Sequence, residues 1–176
     1  MTDSAARQAD RIPPDLAARI DETITHYPVS KRSASVPLLH LWQNHFGYID
    51  DSGIEWIARK LGLEPINILE LVTFYPWFRE TAPGKTVIRV CRTLSCALAG
   101  SHDLRKAICR AAGIDPDAAD HGHGLDSPDG KYTVEFVECL ASCGTAPVCM
   151  VGEELHENVT EAGVPALLES AGRAGS

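Results

Sequence analysis

The chain has 176 residues, 44% of them hydrophobic and 23% charged, with a formal net charge of -8 and an isoelectric point near 5.3. That length buries one good core and a second, smaller one, so one domain or two unequal ones is expected. The acidic balance disfavours nucleic acid as a partner, because binding a phosphate backbone relies on clustered Lys and Arg releasing counterions.

No apolar run approaches the roughly 18 residues of a membrane-crossing helix, and the opening M-T-D-S-A-A-R-Q-A-D is polar rather than a secretory leader. The chain therefore reads as cytoplasmic, with no direct membrane insertion. Residues 1–12 carry no apolar periodicity and are expected to be disordered. Pro13-Pro14 then opens a helix in which Leu16, Ile20 and Ile24 recur on one face. Ser35 is placed to cap a second helix, with Leu38, Leu39, Trp42 and Phe46 on its apolar face and Gly47 as its stop. Ile54, Ile57, Ala58 and Leu61 predict a third helix ending at Gly62, and Pro65 starts a fourth through Ile68, Leu69 and Val72. Trp42, Trp56 and Trp77 are expected to fill or border this helical core, Trp77 also being placed to anchor a partner subunit. Pro76 and the A-P-G of residues 82–84 break the pattern, which sets a helical domain at 13–80 and a second domain at 81–176.

The period then changes from helical to alternating. Thr86–Cys91 reads as a strand, residues 100–112 as a helix with Leu104, Ala107, Ile108 and Ala111 on one face, and residues 115–130 as a polar loop. Residues 132–138 form a second strand, 147–151 a third and 155–157 a fourth. A last helix, capped by Thr160, runs through Val164, Leu167 and Leu168. The fold class is α+β: an N-terminal helical bundle followed by a small α/β layer of thioredoxin-like order.

Six cysteines in a chain without a leader belong in a reducing compartment, where thiolates serve as metal ligands more often than as disulfides. Four of them fall in two short-spaced pairs, Cys91 with Cys96 in C-R-T-L-S-C and Cys139 with Cys143 in C-L-A-S-C. These are read as loop spacings, with Ser95, Ala97, Ala141, Ser142 and Gly144 small enough to let the backbone curl around a metal. Structural zinc usually takes tighter C-x2-C knuckles and thiol-disulfide exchangers need C-x-x-C before a helix, so both fit less well than a 2Fe-2S cluster, though zinc stays open. Amides of the small-residue loops, with Arg92, are expected to offset the negative charge of such a centre. Cys109 and Cys149 fall on apolar faces and read as buried thiols, while His121 and His123 read as solvated loop residues. No G-x-G-x-x-G and no P-loop occurs, so any nucleotide belongs to another chain.

C-R-T-L-S-C-A-L-A-G-S followed by P-D-G-K-Y-T-V-E-F-V-E-C-L-A-S-C-G-T-A-P-V, with G-Y-I-D-D-S-G-I-E-W-I-A-R-K-L-G and L-V-T-F-Y upstream, resembles the family of thioredoxin-like 2Fe-2S subunits of respiratory complex I, the NADH:quinone oxidoreductase. The resemblance implies a thioredoxin-like ferredoxin domain whose Cys91, Cys96, Cys139 and Cys143 hold one 2Fe-2S cluster. It also implies electron exchange with a flavin, FMN and NADH being held by a partner subunit, and neighbours among the other hydrophilic-arm iron-sulfur subunits. Enzyme activity then belongs to the NADH dehydrogenase complex and the chain supplies an electron-transfer centre. The equivalent subunit of a NAD-dependent formate dehydrogenase or NAD-reducing hydrogenase, and a free-standing thioredoxin-like ferredoxin, are the alternatives. The interval from Cys96 to Cys139 is longer than is usual for the family, with the excess around A-D-H-G-H-G-L.

Overall fold

Proline and glycine set where the first helices begin and end. The computed structural model describes residues 7–120 and 124–174, in two units, Met1–Ala82 and Pro83–Ser176. Among the described residues the first unit holds α1 (Pro14–Thr25), α2 (Ser35–Phe46), α3 (Asp51–Leu61) and α4 (Pro65–Phe74). Proline occupies the first turn of α1 and α4, where its missing N–H sacrifices no hydrogen bond. Left-handed Gly47 and Gly62 close α2 and α3. Ser35 differs from its expected role. A 3-10 turn, Lys31–Ala34, runs directly into α2, and the Ser35 hydroxyl donates backwards to the Arg32 carbonyl at 2.7 Å instead of capping the helix.

The apolar faces converge as their spacing predicts: Leu16, Ile20, Leu38, Leu39, Ile57 and Ile68 are buried together around Trp42, and Trp56 borders them. Trp77 does not. It is 54% exposed, because it follows α4, where no helical turn directs it inward.

The expected disorder of residues 1–12 is corrected over its described part. Gln8–Arg11 forms a 3-10 turn with Gln8 buried at 1% exposure. The Gln8 side-chain oxygen accepts from the Trp42 indole N–H at 2.7 Å and from the Asp50 amide at 3.1 Å, while its Nε2 donates to the Tyr48 carbonyl at 3.1 Å. Asp50 is also the N-cap of α3: one carboxylate oxygen accepts from the Gly53 amide at 2.8 Å and the other from the Gln8 amide at 3.1 Å. Gly53 is required at that turn, since a Cβ there would meet Trp42 Nε1 at 2.5 Å. Order here comes from satisfied polar groups, which hydrophobic periodicity does not register.

In the second unit β1 (Thr86–Cys91), β2 (Leu125–Asp126), β3 (Tyr132–Val137), β4 (Cys149–Val151) and β5 (Glu154–His156) form a sheet in the order β2-β3-β1-β4-β5. The central strand β1 runs parallel to β3, with Cys91 opposite Val137, and antiparallel to β4, with Val90 opposite Cys149. A parallel pair needs a crossover. It is supplied by α5 (Leu94–Leu98) and α6 (Ser101–Ala111), and α7 (Val164–Ala174) follows β5. Leu104 and Ile108 of α6 and Val164 and Leu167 of α7 bury against Ile88, Val90 and Val134 of the sheet.

Four details depart from the sequence expectation. The Cys91 to Cys96 gap is partly helical, because α5 is a single turn too short for periodicity to show. The polar segment 115–130 contains β2, which pairs with β3 from Leu125 opposite Val134. The third strand begins at Cys149 rather than at 147, and Thr160 makes no side-chain cap, since a 3-10 turn precedes α7. His121 and His123 lie outside the described residues.

Replacing Gln8 with Ala should leave the buried Trp42 indole N–H and the Asp50 amide without their acceptor, a loss of about 1–3 kcal/mol. Urea unfolding followed by tryptophan fluorescence should register it, and an unshifted transition would show that Gln8 does not anchor this turn.

Candidate metal centre

Parallel strands leave a sheet at the same end, and this decides where the cysteines go. Cys91 is the last residue of β1 and Cys139 comes two residues after β3, so the segments following both strands emerge side by side. The chain from Cys139 to Cys149 must then turn back to enter β4 on the other side of β1, which carries it past the end of β1. Backbone bonds fix this crossing: the Arg92 amide donates to the Val137 carbonyl at 3.0 Å and the Cys91 amide to the Val148 carbonyl at 3.2 Å.

The two loops share a small apolar cluster, in which buried Cys91, Cys96 and Val148 pack with partly buried Leu140 and Ala146. Cys139 and Cys143, by contrast, are exposed. Ala141 adopts a left-handed φ of 57°, unusual for a residue with a Cβ, and so curls the C-x3-C loop. The Ala141 amide thereby donates to Cys139 Sγ at 3.3 Å. Cys143 opens a 3-10 turn, Cys143–Thr145.

The thiols interact electrostatically. Burial pushes the Cys91 thiol up, but hydrogen bonds from the Thr93 and Leu140 amides and the Cys96 and Thr93 side chains outweigh it, holding Cys91 below the usual thiol range. Burial pushes Cys96 up; the Val148 amide opposes this, whereas Cys91 and, at longer range, Cys143 reinforce it. An ionised Cys91 thus raises the cost of ionising Cys96, and a cation beside them reverses that balance. Among the described residues, no three Cys, His, Asp or Glu side chains already converge at metal-binding distance. The donor set nevertheless fits an iron-sulfur centre: thiols on two adjacent loops, one held low, with backbone amides directed at Cys91 and Cys139.

Arg92 does not serve as a free counter-charge. Its guanidinium is paired with Glu138, Nε donating at 3.0 Å, so the two residues flanking Cys91 and Cys139 together bring no net charge. That hydrogen bond holds the Glu138 carboxyl below its ordinary value. Cys109 and Cys149 lie in the core of the second unit, and burial pushes the Cys149 thiol up to about 12. Ser142 was read from the sequence only as a small loop residue, and Thr145 and Glu157 were given no role, yet both hydroxyls donate to the Glu157 carboxylate, Thr145 at 2.5 Å. Their residue types carry no motif, and Glu157 joins them only through the fold.

The chain is similar to known proteins. The thioredoxin-like [2Fe-2S] ferredoxin family matches residues 20–172. NADH-quinone oxidoreductase subunit 2 of Thermus thermophilus is 40% identical over 151 residues, covering 85% of this chain and 80% of its own length. An NADH-quinone oxidoreductase subunit of Aquifex aeolicus is 36% identical over 150 residues, covering 85% and 88%. Among solved structures, an air-oxidised NAD+-reducing [NiFe]-hydrogenase superposes with a TM-score of 0.63 at 20% identity, across 80% of this chain and 23% of that one, which establishes a common fold. A helical unit, a mixed sheet ending in two cysteine loops, and relatives this similar over most of both sequences lead to one assignment: the chain belongs to the thioredoxin-like [2Fe-2S] ferredoxin family, alongside these NADH-quinone oxidoreductase subunits.

Proposed function

We propose that this chain is the thioredoxin-like electron-transfer subunit of an NADH-quinone oxidoreductase and that Cys91, Cys96, Cys139 and Cys143 hold its single 2Fe-2S cluster. The observation that carries this is the placement of both cysteine pairs at one end of the sheet, on loops sharing the Cys91, Cys96 and Val148 cluster. When bound, the cluster accepts and returns one electron at a time. The protein supplies the thiolates, of which Cys91 is held low, and amides that favour the sulfur-borne negative charge. Val148, Leu140 and Ala146 keep water from the inner pair.

The electron's other partner is assigned to a flavin on an NADH-binding subunit, since this chain carries no nucleotide motif. A surface suited to that subunit adjoins the site. Leu94 and Leu98, one turn apart on α5, are 72% and 81% exposed, while Cys96 between them is buried. Electrons cross best where the cluster lies close beneath such a contact. No helix among the described residues is long and apolar enough to cross a membrane. As part of such a complex the chain is placed on its cytoplasmic side, joined to the membrane only through the other hydrophilic-arm subunits.

Purification of the native complex tests this assignment. Co-elution with a flavin subunit and quinone-reducing membrane subunits is expected; a nickel or molybdenum subunit in their place would assign the chain to a NAD-reducing hydrogenase or formate dehydrogenase. For the ligands, Cys139→Ser should lose most of the reconstituted cluster, with the tryptophan-monitored unfolding of the helical unit unchanged. Full cluster content in that variant would remove Cys139 from the set.

A further inference from the structure

The second cysteine loop is exposed at both of its proposed ligands, so something other than burial must hold its shape. A backbone bond from the Thr145 amide to the Ser142 carbonyl, at 3.2 Å, closes its turn, and the hydroxyls of the same two residues meet at one further side chain. Glu157, immediately after β5, accepts hydrogen bonds through a single oxygen, Oε1, from the hydroxyls of Ser142 and Thr145. An ionised carboxylate donates nothing, so in both contacts with Glu157 the hydroxyl is the donor. The two hydroxyl oxygens, 2.8 Å apart, share that acceptor, and Thr145 Oγ1 also lies 3.2 Å from the Ser142 carbonyl.

The backbone runs along with this contact. The Asn158 amide donates to the Thr145 carbonyl at 2.8 Å and the Val159 amide to the Pro147 carbonyl at 3.0 Å, with Asn158 in a left-handed conformation, φ 51°. The segment after β5 is thus laid against residues 145–147, and Glu157 is the side chain that reaches from it to the 3-10 turn bearing Cys143. Its charge makes the placement informative. Four thiolates on an iron-sulfur centre leave net negative charge, and a carboxylate beside it is electrostatically unfavourable. An acceptor needed for geometry accounts for an anion kept there.

We infer that Glu157 is a positioning residue for the cluster: by drawing the Ser142 and Thr145 hydroxyls to one oxygen, it fixes the turn that presents Cys143, and with it the C-x3-C loop. The inference rests on the proposed ligand role of Cys139 and Cys143. Glutamine offers the same side-chain oxygen without the charge, whereas alanine offers neither, so the two substitutions separate geometry from electrostatics.

The full chain is reconstituted with iron and sulfide, and cluster release to a chelator is followed optically for wild type, E157Q and E157A. Release from E157A should be faster by about tenfold or more, with a changed EPR line shape. E157Q should keep the wild-type rate and line shape while shifting the midpoint potential upward, as one negative charge has left. Adding S142A to E157A should accelerate release no further, because the coupling is already lost. Wild-type behaviour of E157A would overturn the inference, as would an E157Q variant as labile as E157A. Amide hydrogen exchange of residues 140–147 in the metal-free chain gives a reading independent of the cluster: faster exchange in E157A supports the bracket and unchanged exchange overturns it. A wild-type chain that takes up no cluster would instead defeat the proposed function, leaving exchange to decide the role of Glu157 in the loop.

Discussion

The parallel pairing of β1 with β3 is the constraint on which the site depends. Side by side and in the same direction, with Cys91 opposite Val137, the two strands deliver their following segments to the same end of the sheet. The antiparallel return of β4 on the other flank of β1 forces the second segment across that end. Cysteines far apart in sequence therefore become neighbours without any contact between their own loops having to drive the fold. The helices α6 and α7, packed on the sheet through Leu104, Ile108 and Leu167, hold the ladder in place.

Topology brings the sulfurs near one another, and electrostatics opposes their final approach. Amides directed at Cys91 hold its thiol below the usual range, whereas burial first, and then neighbouring Cys91, push Cys96 up. A cationic centre held as proposed would resolve the conflict by taking these cysteines as thiolates. Polar contacts lie on either side: Arg92 pairs with Glu138, the residues next to Cys91 and Cys139, and Glu157 accepts from Thr145 in the turn that Cys143 opens. The inner pair is buried and the outer pair exposed.

Much of this was legible in the sequence, because periodicity reports burial. Leu16 and Ile20, or Leu104 and Ile108, recur at helical spacing and are buried in helices, and the alternation of Thr86–Cys91 is that of a strand. The four cysteines were also visible as two pairs beside strand ends. What periodicity cannot report is polar satisfaction. Gln8 orders a segment without an apolar pattern by accepting from Trp42, and Glu157 reaches Ser142 and Thr145 across the fold. Short elements escaped for a related reason: α5 and β2 span too few residues to complete a period. Trp77 was misjudged because an aromatic residue near a core carries no signal of its direction once the helix has ended.

The central claim is that these four thiols hold an iron-sulfur cluster. It is tested most directly by reconstituting the purified full chain with iron and sulfide in the presence of competing zinc, then measuring bound metal and acid-labile sulfide alongside the EPR spectrum after reduction. Iron and sulfide in equal amounts are expected, with a paramagnetic signal that appears only on reduction. Zinc bound without sulfide, and no such signal, would contradict it.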